Sequence, residues 1–186
     1  MRKLEKIEHV ITLLDSGMQL ALLDDGRPLR DDWLTFNRAV REMGAPKAAS
    51  AYRWYQWTFV VPAGYVAVRL TTPLSWEMID SGQVDFGVHA SVHSRFKTRY
   101  STPAYQANHR TLLFRQPAGF KFPGRELHPA NDFGFKVNYL HPGDLVMVPP
   151  SRSCKWVRPL PEDLTSLSEL PQVLWPREYQ INSIVE

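Results

Sequence analysis

The chain has 186 residues, of which 44% are hydrophobic and 22% charged, and its formal net charge is +3. This length suits a single domain with a substantial core, and the composition excludes wholesale disorder. A net charge of this size does not by itself imply a nucleic-acid partner.

The chain begins with predicted helices and strands in alternation. Apolar residues at helical spacing predict a helix from Leu4 to Leu14, and a strand from Met18 to Leu23 follows it. A second helix is predicted from Trp33 to about Met43. The segment from Gly44 to Ser50 is predicted to be a loop.

The middle of the chain contains most of the predicted strands. Arg53 to Pro73 is rich in β-formers and predicts two strands, with core-facing aromatic side chains, joined at Pro62-Ala63-Gly64. Ser75 to Gly82 predicts a short helix, and Gln83 to Ala90 a further strand. From Arg95 to Tyr100, cations alternate with other residues at a period of two, which predicts another strand.

A long acid-free window overlaps these strands. Between Phe86 and Arg125 there is no Asp or Glu. A charged edge strand that deters aggregation would explain the cations from Arg95 to Arg99 but not the whole set. We therefore predict a surface for nucleotide phosphates or for a single strand of nucleic acid. Its predicted phosphate contacts are Arg95, Lys97, Arg99, Arg110, Arg115 and Lys121.

The stretch from Arg110 to Ser151 predicts the platform of this surface. It opens with the apolar run Leu112 to Phe114 and closes with Leu145 to Val148, each stopped by proline. Two buried strands of this kind form a rigid platform whose loops carry the site.

Several kinds of chemistry are disfavoured. No glycine-rich phosphate loop of the Walker or Rossmann type is present. The single cysteine, Cys154, excludes an internal disulfide and a zinc site built from cysteines, and we interpret it as a surface residue without a special role. The apolar runs are too short for a membrane span and the N-terminus is charged, so we expect a soluble, cytoplasmic protein with no membrane partner.

Several motifs resemble those of the primase/polymerase (prim-pol) domain of the archaeo-eukaryotic primase superfamily. VNYLHPGDLVMVPPS, residues 137 to 151, is similar to the third motif of that family. STPAYQANHRTLLFRQPAG, residues 101 to 119, resembles the second, and GYVAVRLTTP, residues 64 to 73, falls at its metal-binding strand. The chain also resembles small actinobacterial proteins that carry the prim-pol name with similarly degenerate motifs.

The chain departs from the family at the positions that would hold metal. The resemblance places the first pair of carboxylates at Arg69 and Thr71 and the third carboxylate at Asn138. The histidine of the second motif falls at His109, or at Thr111 if the strand is aligned without a gap. Two-metal nucleotidyl transfer needs carboxylates at such positions, because they hold the divalent cations.

The sequence therefore predicts a catalytically degenerate prim-pol-like protein, without a cofactor, that binds single-stranded nucleic acid or nucleotides. The predicted fold is α+β, with a mixed or antiparallel sheet flanked by helices in one domain of residues 1–175 and a C-terminal tail of residues 176–186. One alternative is an active primase or polymerase that uses Mg²⁺ or Mn²⁺ on the relocated carboxylates of Asp80, Asp85 and Asp132. The other is a protein-interaction module that does not bind nucleic acid.

Overall fold

The fold is built from four helices and ten strands in the described part of the chain. The computed structural model describes residues 2–24, 26–29, 33–71, 73–95, 108–124, 128–130, 135–152 and 154–176. The helices are α1 (Lys3–Asp15), α2 (Trp33–Met43), α3 (Ala45–Ala51) and α4 (Pro73–Asp80). The strands are β1 (Leu20–Asp24), β2 (Arg27–Pro28), β3 (Gln56–Val60), β4 (Tyr65–Leu70), β5 (Ala90–Arg95), β6 (Asn108–Arg115), β7 (His128–Ala130), β8 (Phe135–Leu140), β9 (Leu145–Met147) and β10 (Cys154–Arg158).

The strands form two antiparallel sheets instead of the single sheet that was predicted. The smaller sheet has the order β2-β1-β3-β9, and the larger has the order β10-β5-β6-β4-β8-β7. The α+β prediction is confirmed. The expected platform is corrected, because β6 lies in the larger sheet whereas β9 pairs with β3 in the smaller one.

Each face of the larger sheet covers a separate apolar cluster, which follows from the period of two along a strand. One face contributes residues such as Ala67, Leu113 and Leu140 to the main cluster, which also contains the smaller sheet and α1 to α3. The opposite face contributes Val68 and Phe114 to a second cluster with α4. The larger sheet is therefore the central layer of the molecule.

Two local predictions are wrong for identifiable reasons. Residues 45–51 form α3, not a loop, because they are rich in alanine and the proline lies in the first turn, where helices tolerate it. The strand predicted from Gln83 begins only at Ala90, since Gly87 adopts a positive φ of 70° and the Asp85 carboxylate accepts a hydrogen bond from the Gly87 amide. This hydrogen bond and the positive φ of Gly87 form a turn at these residues.

One further prediction is confirmed, and two others concern residues that the structure does not describe. Trp57 and Phe59 are each 1% exposed, so the aromatic side chains of β3 are core residues as predicted. The alternating segment after Arg95 and the tail after residue 176 fall outside the described residues. Among those that are described, no helix has the length and apolarity needed to cross a bilayer.

Candidate anion-binding site

Strand register brings three of the motif positions together on the larger sheet. Arg69 in β4 lies opposite Thr111 in β6 on one side and opposite Asn138 in β8 on the other. Directly opposed residues point to the same face of a sheet, and Ala67 shows that this is the face of the main apolar cluster. The three polar side chains therefore continue an apolar face at one end of the sheet.

A cavity of about 260 Å³ lies at this polar end. Its volume is equivalent to about nine water molecules, each of which occupies roughly 30 Å³ in the liquid. That space is large enough for a phosphate group with some solvent. The lining residues are Arg69, Asn138, Tyr139, Leu140, Asp144 and Leu145.

A tight turn between β8 and β9 holds Asp144 at the cavity. The Asp144 amide donates to the His141 carbonyl (2.9 Å), and the Asp144 carboxylate accepts from the His141 amide (2.8 Å). Gly143 provides the positive φ of 92° that this turn requires. Backbone hydrogen bonds of 2.8 Å join Val61 to both Gly143 and Asp144, so the turn is attached to the chain that connects the two sheets.

Arg69 is a largely buried cation whose charge is only partly compensated. Burial lowers the pKa of its guanidinium below its ordinary value, and the charge of Asp144 opposes this shift. Within the described part of the chain, no carboxylate oxygen lies within 4.0 Å of the guanidinium. An anion that entered the cavity would therefore relieve an unfavourable charge.

His109 lies two residues before Thr111 on the same face of β6 and supplies a neutral imidazole near Arg69. Burial, followed by the charges of Arg69 and His93, lowers its pKa to about 4. Its Nδ1 is buried and has no hydrogen-bond partner among the described residues. In its neutral form the ring has one N–H to donate to a phosphate oxygen.

The residues at the cavity do not fit a pair of divalent cations. The motif positions carry a guanidinium at Arg69 and an amide at Asn138, and Asp144 is the one carboxylate among the described residues that line the cavity. Mg²⁺ and Mn²⁺ prefer several anionic oxygens, and a guanidinium repels them. Thr71 is partly buried just after β4 and offers a hydroxyl at most.

The carboxylates that the active-polymerase alternative would use to bind metal either form hydrogen bonds elsewhere or belong to residues that the structure does not describe. Asp80 binds Arg110, on the face of the larger sheet that looks away from Arg69. Asp85 accepts the hydrogen bond of the Gly87 turn. Asp132 lies outside the described residues.

Arg110 has a structural role that the sequence did not reveal. Its two terminal nitrogens donate to the two carboxylate oxygens of Asp80 at 2.9 and 3.1 Å. The Arg110 side chain is only 8% exposed, whereas that of Asp80 is 49% exposed. The two terminal nitrogens of this guanidinium thus join β6 to α4, and we remove Arg110 from the proposed phosphate contacts.

The remaining predicted contacts do not form one cluster in the described structure. Arg115 lies six residues from His109 on β6, which is about 20 Å at 3.3 Å per residue. Its Nε donates to the Leu167 carbonyl at 2.6 Å. Arg95 and Lys121 are exposed, on β5 and on the loop after β6 respectively. Lys97 and Arg99 fall outside the described residues.

The sequence pointed to the strands of the cavity but not to its full composition. Arg69 stood out only as a residue that would repel metal, and Asp144 and Leu145 were not predicted as site residues. The Gly143-Asp144 turn was the available signal for Asp144. Cys154 is also corrected from a surface residue to a partly buried one that packs against the main core, and burial raises the pKa of its thiol to about 12.

Comparison with known proteins adds no assignment. A scan against protein-family models found no match for this chain, and a search of curated proteins found none either. The chemistry of the cavity is consequently the basis for assigning a function.

Proposed function

We propose that the protein binds a phosphate group of a nucleotide or of a single-stranded nucleic acid in the cavity at Arg69, without catalysing nucleotidyl transfer. The observation that carries this proposal is the half-buried guanidinium of Arg69, which lines the cavity and has no carboxylate oxygen of a described residue within 4.0 Å. Guanidinium groups bind phosphate oxygens through two parallel hydrogen bonds, and such charge-assisted bonds are the strong ones.

Neighbouring groups suit the same ligand. The Asn138 side chain lines the cavity, and its amide group has N–H donors of the kind that bind phosphate oxygens. The neutral His109 ring lies near Arg69, outside the set of residues that line the cavity. The carboxylate of Asp144 lines the same cavity and repels anions, so phosphate binding depends on the charge of Arg69. The site thus fits a phosphate group.

The resemblance to the prim-pol domain supports this proposal from a separate direction. Its three motifs are far apart in the sequence, yet Arg69, Thr111 and Asn138 lie side by side on adjacent strands. In that family the corresponding strands hold the metal-bound phosphates of nucleotides. We infer that a guanidinium here takes over the phosphate contact that a metal ion makes there.

A titration with three ligands tests the proposal. Calorimetry with excess EDTA would compare inorganic phosphate, a nucleoside triphosphate and a short single-stranded oligonucleotide. Loss of one charge-assisted contact is worth about 1.5–3 kcal/mol, so Arg69→Met should weaken the bound ligand roughly ten- to 150-fold. Arg69→Lys should weaken it less, and Arg38→Met, which changes an exposed arginine of α2, should bind like the wild type.

The alternatives give different results in the same experiments. A stronger signal from the oligonucleotide than from the triphosphate would identify the ligand as a nucleic-acid strand, with a steep dependence on salt. Incorporation of nucleotides with Mg²⁺ or Mn²⁺, lost on Asp85→Ala or Asp132→Ala, would instead support the active-polymerase alternative. Wild-type affinity in Arg69→Met would refute the proposed site.

A further inference from the structure

A second concave surface lies at the helical end of the molecule, on α1, α3 and the residues that follow α3. This groove encloses about 360 Å³. Three cations and three apolar or small residues line most of it: Lys3, Lys6, Arg53, Ile7, Pro46 and Ala49. The lining thus combines cationic with apolar side chains, a combination that suits an amphipathic ligand.

Within the part of the chain that the structure describes, no carboxylate pairs with the cations of the groove. No described residue with a carboxylate lines the groove, and the described structure contains no ion pair for Lys3, Lys6 or Arg53. The nearest acidic residue of α1 in sequence, Glu5, accepts from the Arg2 amide at 3.3 Å. The groove therefore has an uncompensated positive charge that favours an anionic partner.

Exposed hydrophobic side chains accompany the groove. Trp54, next to Arg53, is 67% exposed, and Leu4, next to Lys3, is 72% exposed. The guanidinium carbons of Arg53 and Arg152 lie 4.9 and 4.6 Å from the centroid of the Trp54 ring. Tryptophan and arginine are the side chains most often found at the energetic centre of protein interfaces.

We propose that this groove binds an acidic peptide segment of a partner protein, with carboxylates on Lys3, Lys6 and Arg53 and an apolar side chain on Ile7, Pro46 and Ala49. Trp54 extends the contact beyond the groove. This site lies on other elements than the cavity at Arg69, so it does not depend on the phosphate proposal. It gives the protein a second, separate binding activity.

The chemistry favours a peptide over a strand of nucleic acid. Single strands bind through base stacking on free aromatic faces together with closely spaced phosphate contacts. Here two guanidinium groups occupy part of the Trp54 ring surface that a base would need. The apolar residues that line the groove instead suit a leucine-like or phenylalanine-like side chain.

The test uses fluorescence anisotropy with a labelled peptide that alternates glutamate with leucine and phenylalanine. A peptide with lysine in place of glutamate and a single-stranded oligothymidylate are the comparison ligands. The groove variant combines Lys3→Gln, Lys6→Gln and Arg53→Gln. A matched control removes three exposed arginines elsewhere, through Arg27→Gln, Arg38→Gln and Arg41→Gln.

We expect the acidic peptide alone to bind, and the groove variant to lose about tenfold or more in affinity, from three ion pairs of the usual surface strength. The control variant should stay within about twofold, and Trp54→Ala should also weaken binding. No binding of the acidic peptide at about 50 mM salt would overturn the proposal. Equal loss in both triple variants, or tighter binding of the oligothymidylate to the groove residues, would overturn it as well.

Discussion

Replacement of Arg69 by methionine should stabilise the free protein while it weakens phosphate binding about ten- to 150-fold. Methionine has a similar length, no charge and a flexible chain that adapts to a gap. It would lie on the same face as Ala67 and Leu140, against the main apolar cluster. A residue that serves binding is expected to reduce stability in this way, whereas a residue that serves only the fold is not.

The magnitude follows from two opposing terms at Arg69. Attraction to a carboxylate beyond 4 Å is below about 4 kcal/mol at an effective dielectric constant near 20. Desolvation of a buried ion costs several kcal/mol, and the lowered pKa of Arg69 shows that burial dominates over the charge of Asp144. Because the side chain keeps some exposure, we expect a gain of about 1 kcal/mol, which is a rise in Tm of about 2–4 °C.

Thermal unfolding monitored by circular dichroism would measure both halves of this prediction. A nucleoside triphosphate at about 100 times its Kd should stabilise the wild type by about 2.7 kcal/mol, and at the same concentration it should stabilise Arg69→Met by only about 0.3–1.4 kcal/mol. Arg69→Lys, which keeps the charge, should retain part of the ligand effect. A loss of more than about 1 kcal/mol in Arg69→Met would assign the guanidinium to the fold and refute this reasoning.

Three further predictions concern single side chains. Asp80→Asn leaves the buried Arg110 guanidinium without its carboxylate and should lower the free energy of unfolding, measured in urea, by about 1–3 kcal/mol. Because Arg110 lowers the pKa of Asp80 below 3.8, the wild type should lose this contribution only as pH falls below that value. Equal stability of Asp80→Asn and the wild type would contradict the structural role of the pair. The pKa of His109 is lowered from 6.5 to about 4, so between these pH values the folded protein binds fewer protons at His109 than the unfolded chain does. The free energy of unfolding should therefore decline as pH falls through that range, and His109→Gln should reduce the decline. A titration of the His109 NMR signals near pH 6.5 would contradict this prediction. Cys154 should react with a thiol reagent at about pH 8 only after unfolding, because burial raises its pKa to about 12, and rapid labelling of the native protein would show that the thiol is accessible.

Local sequence patterns predicted most elements but not their assembly. The periodicity of α1 and α2 and the β-formers of β4 were sufficient to place these elements. The division into two sheets was not predictable, because it depends on pairings such as that of Val60 with Leu145, which are remote in sequence. Gly44, which precedes α3, and Pro46, in its first turn, suggested a loop, although the alanines of the segment favour a helix.

The site was predictable only in part for the same reason. The motifs located Arg69 and Asn138, and the register of β4 then brought both to one cavity. The approach of Asp144 to Arg69 depends on how the β8–β9 turn is attached to Val61, which no local pattern encodes. Likewise, the cation count of the acid-free window could not separate Arg110, which is paired with Asp80 on α4, from cations that remain exposed.

The central claim is that a phosphate group contacts the guanidinium of Arg69. The most direct measurement is the NMR signal of the Arg69 side-chain Nε–H, assigned through its loss in Arg69→Lys, during addition of a nucleoside triphosphate with EDTA present. We predict a large, saturable shift of this signal, while the signal of the exposed Arg38 does not move. An unchanged Arg69 signal at ligand concentrations that saturate binding would contradict the claim.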